Sequence, residues 1–460
     1  MSTPQLKAGL RQRHLSMIAI AGVIGAGLFV GSGAAISEAG PAALVSYALA
    51  GLLVVLVMRM LGEMSAASPE TGSFSSYAER ALGRWAGLAI GWLYWWFWVV
   101  VLGIEATAAA EIGNRWVPAL PQWGWALLVM VVLTGTNLAS VRSFGEFEFW
   151  FAAIKVAAIA GFIVLGALAI LGVLPTVESP GLSNLVGRGG FMPAGVGPVF
   201  ASMTVIVLSF FGAEIATIAA GESDDPEHAV RAAVRSVVWR VLVFYIGSIA
   251  VIVTLLPHDS AEVAKSPYVA VLDRIGLPAA AGVMDVVVFV AVLSCLNSAL
   301  YTASRMAFSL AGRGQGPRVM RRLTARGTPV PAVLGSTVVG FVAVAFNYLS
   351  PDTVFLFLVN SSGATALVVW LVIALSQLRL RGHLERTAPE RLTLKMWGHP
   401  YLTWATILGI LAILVAMSLD AETLPQLLLT LAVTALLTAV GLLHQRRTAP
   451  ARTENPSPTH

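Results

Sequence analysis

The fold is decided by GVIGAGLFVGSG, residues 22–33, which lies inside the first long apolar run of a 460-residue chain. Each glycine inside a helix lowers its stability by about 1 kcal/mol relative to alanine. Gly27 and Gly31 form a GxxxG spacing, so one interpretation is a face for close helix packing. The interpretation we favour is a helix broken in mid-membrane, where free N–H groups meet a substrate carboxylate and free carbonyl groups meet a cation. Residues 22–27 are then a binding site made of backbone.

The composition is that of a protein with many membrane spans. Hydrophobic residues make up 57% of the chain and charged residues 12%, against about 25% charged in an ordinary soluble domain. The one cysteine, Cys295, lies in an apolar run. This excludes an intrachain disulfide and a metal site built from cysteines, and we expect no bound metal.

Twelve apolar segments have roughly the 20-residue length that crosses a bilayer core. We number them spans 1 to 12 in chain order. They are residues 16–36, 41–60, 85–112, 123–140, 149–172, 196–219, 238–256, 279–303, 331–349, 353–378, 401–419 and 423–444. The pattern predicts an all-α membrane protein with a short amino-terminal segment, 1–15, and a disordered tail, 445–460.

The basic residues indicate how the spans are oriented. With a cytoplasmic amino terminus, 24 of the 29 Lys and Arg residues fall on the inner side and four on the outer side, and only Lys155 lies within a span. Basic residues are retained on the cytoplasmic side, so we expect both termini to be cytoplasmic. The net charge of +5 is then explained by topology and gives no reason to expect a nucleic-acid partner.

A second irregular helix comes five spans after the first. Span 6 contains SFFGAEIATIAAGES, residues 209–223, with Gly212 and Glu214 in the middle of an apolar segment. Interrupted helices at corresponding positions of two halves are typical of transporters built from inverted repeats. We therefore predict two five-span repeats, residues 16–172 and 196–380, followed by two peripheral spans within 401–444.

Ionisable side chains inside spans are candidates for function, because each costs about 2.5–3.5 kcal/mol at the centre of a membrane helix. Lys155 in span 5 either extends to the membrane surface or lies at the break in span 1. At the break, its ammonium group would replace a sodium ion and its loss of a proton would couple transport to protons. Glu214 is a candidate to gate or titrate. Glu105 in span 3 and Asp285 in span 8 are weaker candidates, and Asp285 is expected at the membrane surface.

Four motifs resemble the amino acid-polyamine-organocation superfamily. They are GVIGAGLFVGSG, the loop GEMSAASPETGSFSSYAERALG, the run SFGEFEFWFAAIKV and the run SCLNSALYTASRMAFSLAGRG. The resemblance covers essentially all of the chain except the tail. Within the amino acid transporter branch, SFFGAEIATIAAGES together with SCLNSALYTASRMAFSLA is most similar to bacterial gamma-aminobutyrate permeases.

The resemblance implies alternating access and a backbone site for the substrate. The amides of Gly25, Ala26 and Gly27 would bind the carboxylate, at the positive end of a half-helix. The amino group would be bound by three carbonyl groups, those of Val23, Leu208 and Phe211.

The resemblance also implies a set of proton-coupling residues. Lys155 matches the lysine that occupies the former sodium position in proton-coupled members. Ser294 and Asn297 of span 8 would lie beside it, and Glu214 matches the acidic position of span 6. The coupling ion would be a proton, and no cofactor is expected.

The side chains around the implied site indicate what it accepts. Leu208 stands where members that handle large side chains carry an aromatic gate, so that role falls to Phe210 or Phe211, or to no residue. Leu208 and Ala26 indicate apolar walls, and therefore a zwitterion with little beyond its two charged ends. Glu105 would accept a cationic substrate if it faced the pocket.

These features predict a secondary active transporter that imports gamma-aminobutyrate or a related small amino acid by proton symport. The alternatives are a permease of the same fold for aromatic, basic or neutral alpha-amino acids, and an amino acid exchanger. A channel would need repeated polar rings, and an intramembrane enzyme would need a nucleophile with its base or a metal cluster; the sequence has neither pattern. We expect a monomer or loose dimer in the cytoplasmic (inner) membrane of a bacterium.

Overall fold

The structure is a computed structural model. It describes residues 14, 17, 24–29, 31–70, 72–139, 141–175, 178–220, 225–325, 327–349, 362, 364–421 and 423–448. Within these ranges every regular element is a helix. Val23, most of the first turns of span 1, the beginning of span 10 and the end of the tail lie outside the described residues.

The helices follow the predicted order of spans. Spans 1 to 5 are Ala26–Phe29 with Gly31–Ala39, then Ala43–Ala67, Arg84–Trp116, Gln122–Ala139 and Val141–Ile170. Spans 6 to 8 are Gly197–Phe210 with Ile215–Ala220, then Pro226–Trp239 continued by Arg240–Ile246 and Gly247–Leu255, then Pro278–Gly312. Spans 9 to 12 are Val330–Leu349, Thr365–Thr387, Tyr401–Leu419 and Leu424–Thr448. Shorter helices and turns in the connections are Gly40–Ala42, Ser73–Leu82, Ser183–Val186, Ala261–Lys265, Pro267–Arg274, Arg318–Arg321 and Pro389–Arg391.

All twelve predicted spans have a helix in the described part of the chain. Ten stretches are long and apolar enough to cross a membrane, and the helix of span 9 contains a shorter apolar stretch, Val330–Phe346. One of the ten, Gly27–Ala67, contains two consecutive spans. A 3₁₀ turn at Gly40–Ala42 separates them, and Gly40 adopts a φ of +64° there. The prediction of an all-α membrane protein is confirmed.

Several helices extend beyond their predicted apolar segments, and spans 7 and 8 are examples. Span 7 begins at Pro226, where the side chain of Asp225 accepts the N–H of His228 and caps the helix. Span 8 continues to Gly312. The added turns carry polar residues, which a count of consecutive apolar residues does not include.

The spans pack in the manner of two related halves. Span 3 packs on span 9 as span 8 packs on span 4, and span 5 packs on span 8 as span 10 packs on span 3. The connecting helices match too, because Ser73–Leu82 lies on spans 3 and 10 while Pro267–Arg274 lies on spans 8 and 5. The contacts correspond when spans 3, 4 and 5 are exchanged with spans 8, 9 and 10, which is expected of two inverted repeats. The residue boundaries of the repeats stay a prediction.

The remaining contacts position the two interrupted helices at the centre. Span 6 packs on spans 1 and 2, and span 2 also packs on span 7. Span 11 lies against spans 2, 6 and 10, and span 12 against spans 3 and 11. Spans 1 and 6 therefore meet inside the bundle, with span 12 on its periphery.

Candidate functional site

Span 6 is broken at residues 211–214. Its first helix ends at Phe210, Phe211 is extended with φ −67° and ψ 137°, and the second helix begins at Ile215. Gly212 has a φ of +106°, a conformation that glycine adopts without steric cost. The Gly212 N–H donates to Glu214 Oε2 at 3.1 Å, so the carboxylate stabilises the break.

Span 1 has non-helical backbone at Ile24 and Gly25, and a helix begins at Ala26. Hydrogen bonding within this helix starts when Leu28 N–H donates to Gly25 O at 3.2 Å. The N–H groups of Gly25, Ala26 and Gly27 precede that bond, as the first N–H groups of any helix do. Three backbone N–H groups therefore lie at the start of this helix, and residues 18–23, which precede it, are outside the described part of the chain.

Gly27 also serves close packing. A Cβ atom on Gly27 would lie 2.9 Å from Ser209 Cα and 3.0 Å from Ser209 Cβ. The close packing of Gly27 on span 6 is thus seen directly, and the backbone is non-helical two residues earlier, at Ile24–Gly25. The role of residues 22–27 as a binding site stays a prediction.

Lys155 is fully buried and does not extend to the membrane surface. Its Nζ donates to Ile24 O at 3.0 Å and to Ser294 Oγ at 2.8 Å. Because Ile24 is in the non-helical part of span 1, the ammonium group holds the break. Asn297 lies one helical turn beyond Ser294 on span 8 and is also buried.

The sequence reasoning missed Glu148. This carboxylate is fully buried, accepts the Ser294 hydroxyl at 2.5 Å, and lies 3.4 Å from Asn297 Nδ2 and 4.0 Å from Lys155 Nζ. Its spacing was the available signal, because seven residues before Lys155 is two helical turns on the same face.

Glu105 faces the break in span 1. Its Oε1 lies 3.2 Å from the position that a Cβ on Gly25 would take, next to the side chain of Cys295. Glu105, which the sequence analysis treats as a weaker candidate, therefore lies next to the break in span 1. Asp285, in contrast, lies at the far end of span 8, where it pairs with Arg115 and accepts from Trp116.

Phe211 lies in a cluster of aromatic rings. Its ring centroid is 4.3 Å from that of Phe97, 5.6 Å from Tyr94, 6.2 Å from Trp98 and 6.1 Å from Trp370. Four buried polar atoms here make no hydrogen bond of standard geometry to the described residues: Tyr94 Oη, Trp98 Nε1, Glu214 Oε1 and Trp370 Nε1. Tyr94 is close to both Trp98 and Glu214, so these polar groups lie together beside the break.

Leu208 and Phe210 are placed differently from Phe211. Phe210 packs against Tyr245 of span 7 and Tyr47 of span 2, with centroid distances of 4.4 and 6.2 Å. Leu208 is partly buried against the apolar core, and its carbonyl accepts the N–H of Phe211 at 3.3 Å. Among Leu208, Phe210 and Phe211, it is Phe211 whose ring packs near Tyr94, Trp98 and Trp370.

The connection after span 8 contains Arg313, Arg318, Arg321 and Arg322, and we call this side of the bundle its arginine-rich end. Side-chain contacts link spans 6 and 8 there. Ser73, in the helix Ser73–Leu82, bonds Thr217 of span 6 at 2.9 Å, and Arg313 at the end of span 8 pairs with Glu79 at 2.8 Å. These contacts join spans 6 and 8 through one connecting helix.

Comparison with known proteins gives one family. The family model described as amino acid permease matches residues 14–451. The gamma-aminobutyric acid permease of Bacillus subtilis (strain 168) is 54% identical over 442 residues, which cover 96% of this chain and 94% of that protein. The probable GABA permease of Pseudomonas aeruginosa is 53% identical over 96% of this chain and 93% of its own length.

More distant relatives have other substrates in their names. The aromatic amino acid transport protein AroP of Corynebacterium glutamicum is 45% identical over 422 residues, or 91% of this chain and 90% of that protein. The family thus extends over the whole described bundle and contains more than one substrate specificity.

Proposed function

The chain belongs to the amino acid permease family, and on that basis we propose that it imports gamma-aminobutyrate or a related small amino acid by proton symport. It is a membrane transporter and not an enzyme, as its family is. The observation that carries the mechanism is the fully buried ammonium group of Lys155, hydrogen-bonded to Ile24 O beside three backbone donors.

The substrate carboxylate binds the N–H groups of Gly25, Ala26 and Gly27. The close contact of Gly27 with Ser209 leaves no room for a side chain, which supports a site made of backbone. The carbonyl groups of Val23, Leu208 and Phe211 were assigned to the amino group by resemblance. Val23 is outside the described residues, and Leu208 O already accepts one N–H, so the extended Phe211 is the better supported of the three.

The substrate ammonium group is also served by the aromatic cluster. Aromatic faces attract cations within about 6 Å of the ring, and Glu214 Oε1 and Tyr94 Oη are polar acceptors beside the ring of Phe211. An omega-amino acid has its two charged ends far apart and no side chain. Such a molecule fits donors on span 1 and acceptors on span 6 without needing an apolar side-chain pocket.

Proton coupling follows from the replacement of a bound cation by Lys155. When the ammonium group loses its proton, the bond to Ile24 O loses its charge and the break in span 1 is held less firmly. The broken helix and the proton therefore move in one cycle, with Ser294 and Asn297 of span 8 supporting the lysine. The proton is the coupling ion, and no cofactor takes part.

We place the protein in the cytoplasmic membrane with both termini inside, as a monomer or loose dimer. The arginine-rich side has 24 Lys and Arg residues and the opposite side has four. The positive-inside rule therefore puts the arginine-rich side in the cytoplasm. The substrate proposal is supported by the names of three relatives above 50% identity, all of which are gamma-aminobutyrate permeases or probable ones.

Glu105 supports a second candidate substrate. Its carboxylate lies at the break in span 1, where it can pair with a second positive charge on a basic amino acid. This alternative would use the same fold and the same lysine, and it differs only in the side chain that the site accepts.

The test is uptake of radiolabelled gamma-aminobutyrate into proteoliposomes, with a proton gradient or a sodium gradient imposed. One net charge gains about 2.3 kcal/mol per 100 mV, which corresponds to roughly 50-fold accumulation. Proton-driven accumulation that short omega-amino acids block would support the proposal. Competition by lysine or arginine instead would favour the second candidate, and accumulation on sodium alone would exclude proton symport.

A further inference from the structure

Glu148 is a fully buried carboxylate that the proposed transport cycle does not use. It lies on span 5, two turns before Lys155, and both side chains have zero exposure. A buried carboxylate costs several kcal/mol unless charge and hydrogen bonds compensate it. Here Lys155 supplies the opposite charge and Ser294 supplies a hydrogen bond. A buried acid with such support is a candidate for a role in transport.

The hydrogen bonds around Ser294 have a defined direction. A serine hydroxyl has one proton to donate. Ser294 lies 2.5 Å from Glu148 Oε1, which can only accept when ionised, and 2.8 Å from the Lys155 ammonium group, which can only donate. The order is therefore Lys155 to Ser294 to Glu148, with every proton pointing toward the carboxylate.

The two charged groups do not bond each other directly. Lys155 Nζ and Glu148 Oε1 are 4.0 Å apart, beyond the range of a hydrogen bond. Ser294 is the bridging group, and Asn297 Nδ2 approaches Glu148 Oε2 at 3.4 Å while Asn297 Oδ1 accepts from Asn137 of span 4 at 2.9 Å. The carboxylate is thus held by span 8, and span 4 holds the amide that faces it.

We propose that Glu148 is the proton acceptor of Lys155 and that Ser294 relays the proton between them. Lys155 Nζ gives a proton to Ser294 Oγ while the Ser294 hydroxyl proton passes to Glu148 Oε1. The ion pair becomes a neutral amine and a carboxylic acid, the serine is regenerated, and the net charge is unchanged. The inference rests on the proposed proton symport and adds the group that receives the proton.

The relay leads toward the arginine-rich end of the bundle. The backbone of Glu148 is about 10 Å along span 5 from that of Lys155, at 1.5 Å per residue, and nearer to the beginning of that span, while the two side chains approach each other to 4.0 Å. One turn further, the rings of Phe144 and Tyr301 stack at 4.1 Å, and Arg305 lies 4.1 Å above the Tyr301 ring. The stack closes the route in this conformation, so release of the proton requires spans 5 and 8 to separate there.

Other ionisable groups near the network act mainly on Lys155. They are Glu105 of span 3, Cys295 of span 8 and Arg240 of span 7. Glu148 faces Lys155, the neutral side chains Ser294, Asn297 and Ser298, and the thiol of Cys295, which interacts with both charged groups. Lys155 is therefore the charged partner of Glu148 within this network.

The test compares Glu148→Gln with wild type and with Glu146→Gln in proteoliposomes. Glu146 is a matched control because it is two residues away on span 5, 33% exposed, and paired with His14. We expect Glu148→Gln to lose proton-driven accumulation and its pH dependence but to keep exchange of labelled for unlabelled substrate, which needs no net proton movement. Accumulation with the wild-type pH profile in Glu148→Gln would overturn the proposal.

Infrared spectroscopy gives a readout that a structural role would not change. Acidifying the purified protein protonates exposed carboxylates in every variant, so the spectra are compared by difference: wild type and Glu146→Gln should share one carboxylic-acid band that Glu148→Gln lacks. A band of equal size in Glu148→Gln would contradict the assignment.

Ser294→Ala provides the second variant if Glu148→Gln does not fold. It keeps both ionisable groups and removes the bridge, so proton-driven uptake should fall at least about tenfold while exchange continues, because the remaining 4.0 Å gap exceeds hydrogen-bond range. Unchanged proton-driven uptake would refute the relay. Wild-type accumulation in the same vesicles tests proton symport separately, and any amino acid that wild type accumulates can serve as the probe.

Discussion

At the scale of single residues, the site depends on one buried lysine whose hydrogen-bond partners come from two other helices. Lys155 bonds a backbone carbonyl of span 1 and a hydroxyl of span 8 while it is itself on span 5. Burying an ammonium group without partners would cost several kcal/mol. The arrangement is therefore costly to disturb, and small changes in it should have large effects on transport.

Lys155→Ala should abolish accumulation driven by a proton gradient and make the residual uptake independent of pH. The methyl group cannot carry a proton or bond Ile24 O. Uptake measured between pH 5 and 8 in proteoliposomes checks this, at a range where ordinary surface carboxylates are already ionised. Arg188→Ala, which removes an exposed ion pair with Asp259, is the control and should transport like wild type. Intact proton-driven accumulation in Lys155→Ala would remove the lysine from the coupling mechanism.

Gly27→Ala should weaken substrate affinity about tenfold or more, because overpacking costs about 1–3 kcal/mol. The new methyl group would lie 2.9 Å from Ser209 Cα, which is backbone and cannot rotate away. Equilibrium binding of labelled substrate in detergent measures the effect. Gly161→Ala is matched to it, since Gly161 is also in a span and has nothing within 4 Å of the added Cβ. Equal affinity in both variants would mean that this backbone is not part of the site.

At the scale of elements, the breaks in spans 1 and 6 have different means of support. Span 6 carries its own support, since Glu214 accepts the Gly212 N–H within the break. Span 1 is supported from outside, by Lys155 of span 5. Because the break in span 1 is held by Lys155 of span 5, it can respond when the lysine gains or loses its proton. This is the physical reason to place coupling at span 1.

The buried carboxylate of Glu63, on span 2, joins this span to span 10 and to the connection between spans 10 and 11. Glu63 accepts from Arg381 at 2.5 Å, from Gln377 at 2.8 Å and from the Met396 N–H at 2.6 Å. Three donors on one buried carboxylate hold these elements together at the arginine-rich end. The cluster lies away from the breaks, so its contribution is to stability.

Glu63→Ala should lower the free energy of unfolding by about 3 kcal/mol, the low end for breaking a buried ion pair, because Arg381 keeps Glu385 as a partner. Thermal unfolding of the purified protein in detergent measures the loss. Asp259→Ala breaks an exposed pair with Arg188 and should change stability by about 0.5 kcal/mol or less. Similar midpoints for the two variants would show that the cluster is not stabilising.

At the scale of the whole molecule, the two ends of the bundle differ in charge and should face different compartments. Val319 in the connection after span 8 is 47% exposed, and Val186 in the connection after span 5 is 61% exposed. The first lies among arginines and the second at the opposite end. Both positions are accessible to a labelling reagent if the reagent can reach that side of the membrane.

Single cysteines at these positions test the orientation in a background of Cys295→Ala. In intact cells, Val186→Cys should react with a membrane-impermeant maleimide, while Val319→Cys should react only after permeabilisation. The positive-inside rule gives this expectation. The reverse pattern would invert the topology, and labelling of both in intact cells would be incompatible with the spans as assigned.

The sequence by itself determined the all-α membrane class, the twelve spans and the two interrupted helices, because span length, charge distribution and glycine content are local properties. It also singled out Lys155, since an isolated charge in an apolar span stands out without a structure. The resemblance had already implied Ser294 beside that lysine, and the structure brings it there from a helix about 140 residues away. Only the tertiary structure showed Glu148, on the same helix, as a partner of the lysine and Glu105 next to the break in span 1. Helix packing brings these residues together, and packing is not encoded in any one span. The surroundings of Phe210 and Phe211 also depend on packing. Phe211 packs against rings of spans 3 and 10, whereas Phe210, its neighbour in the sequence, packs against rings of spans 2 and 7.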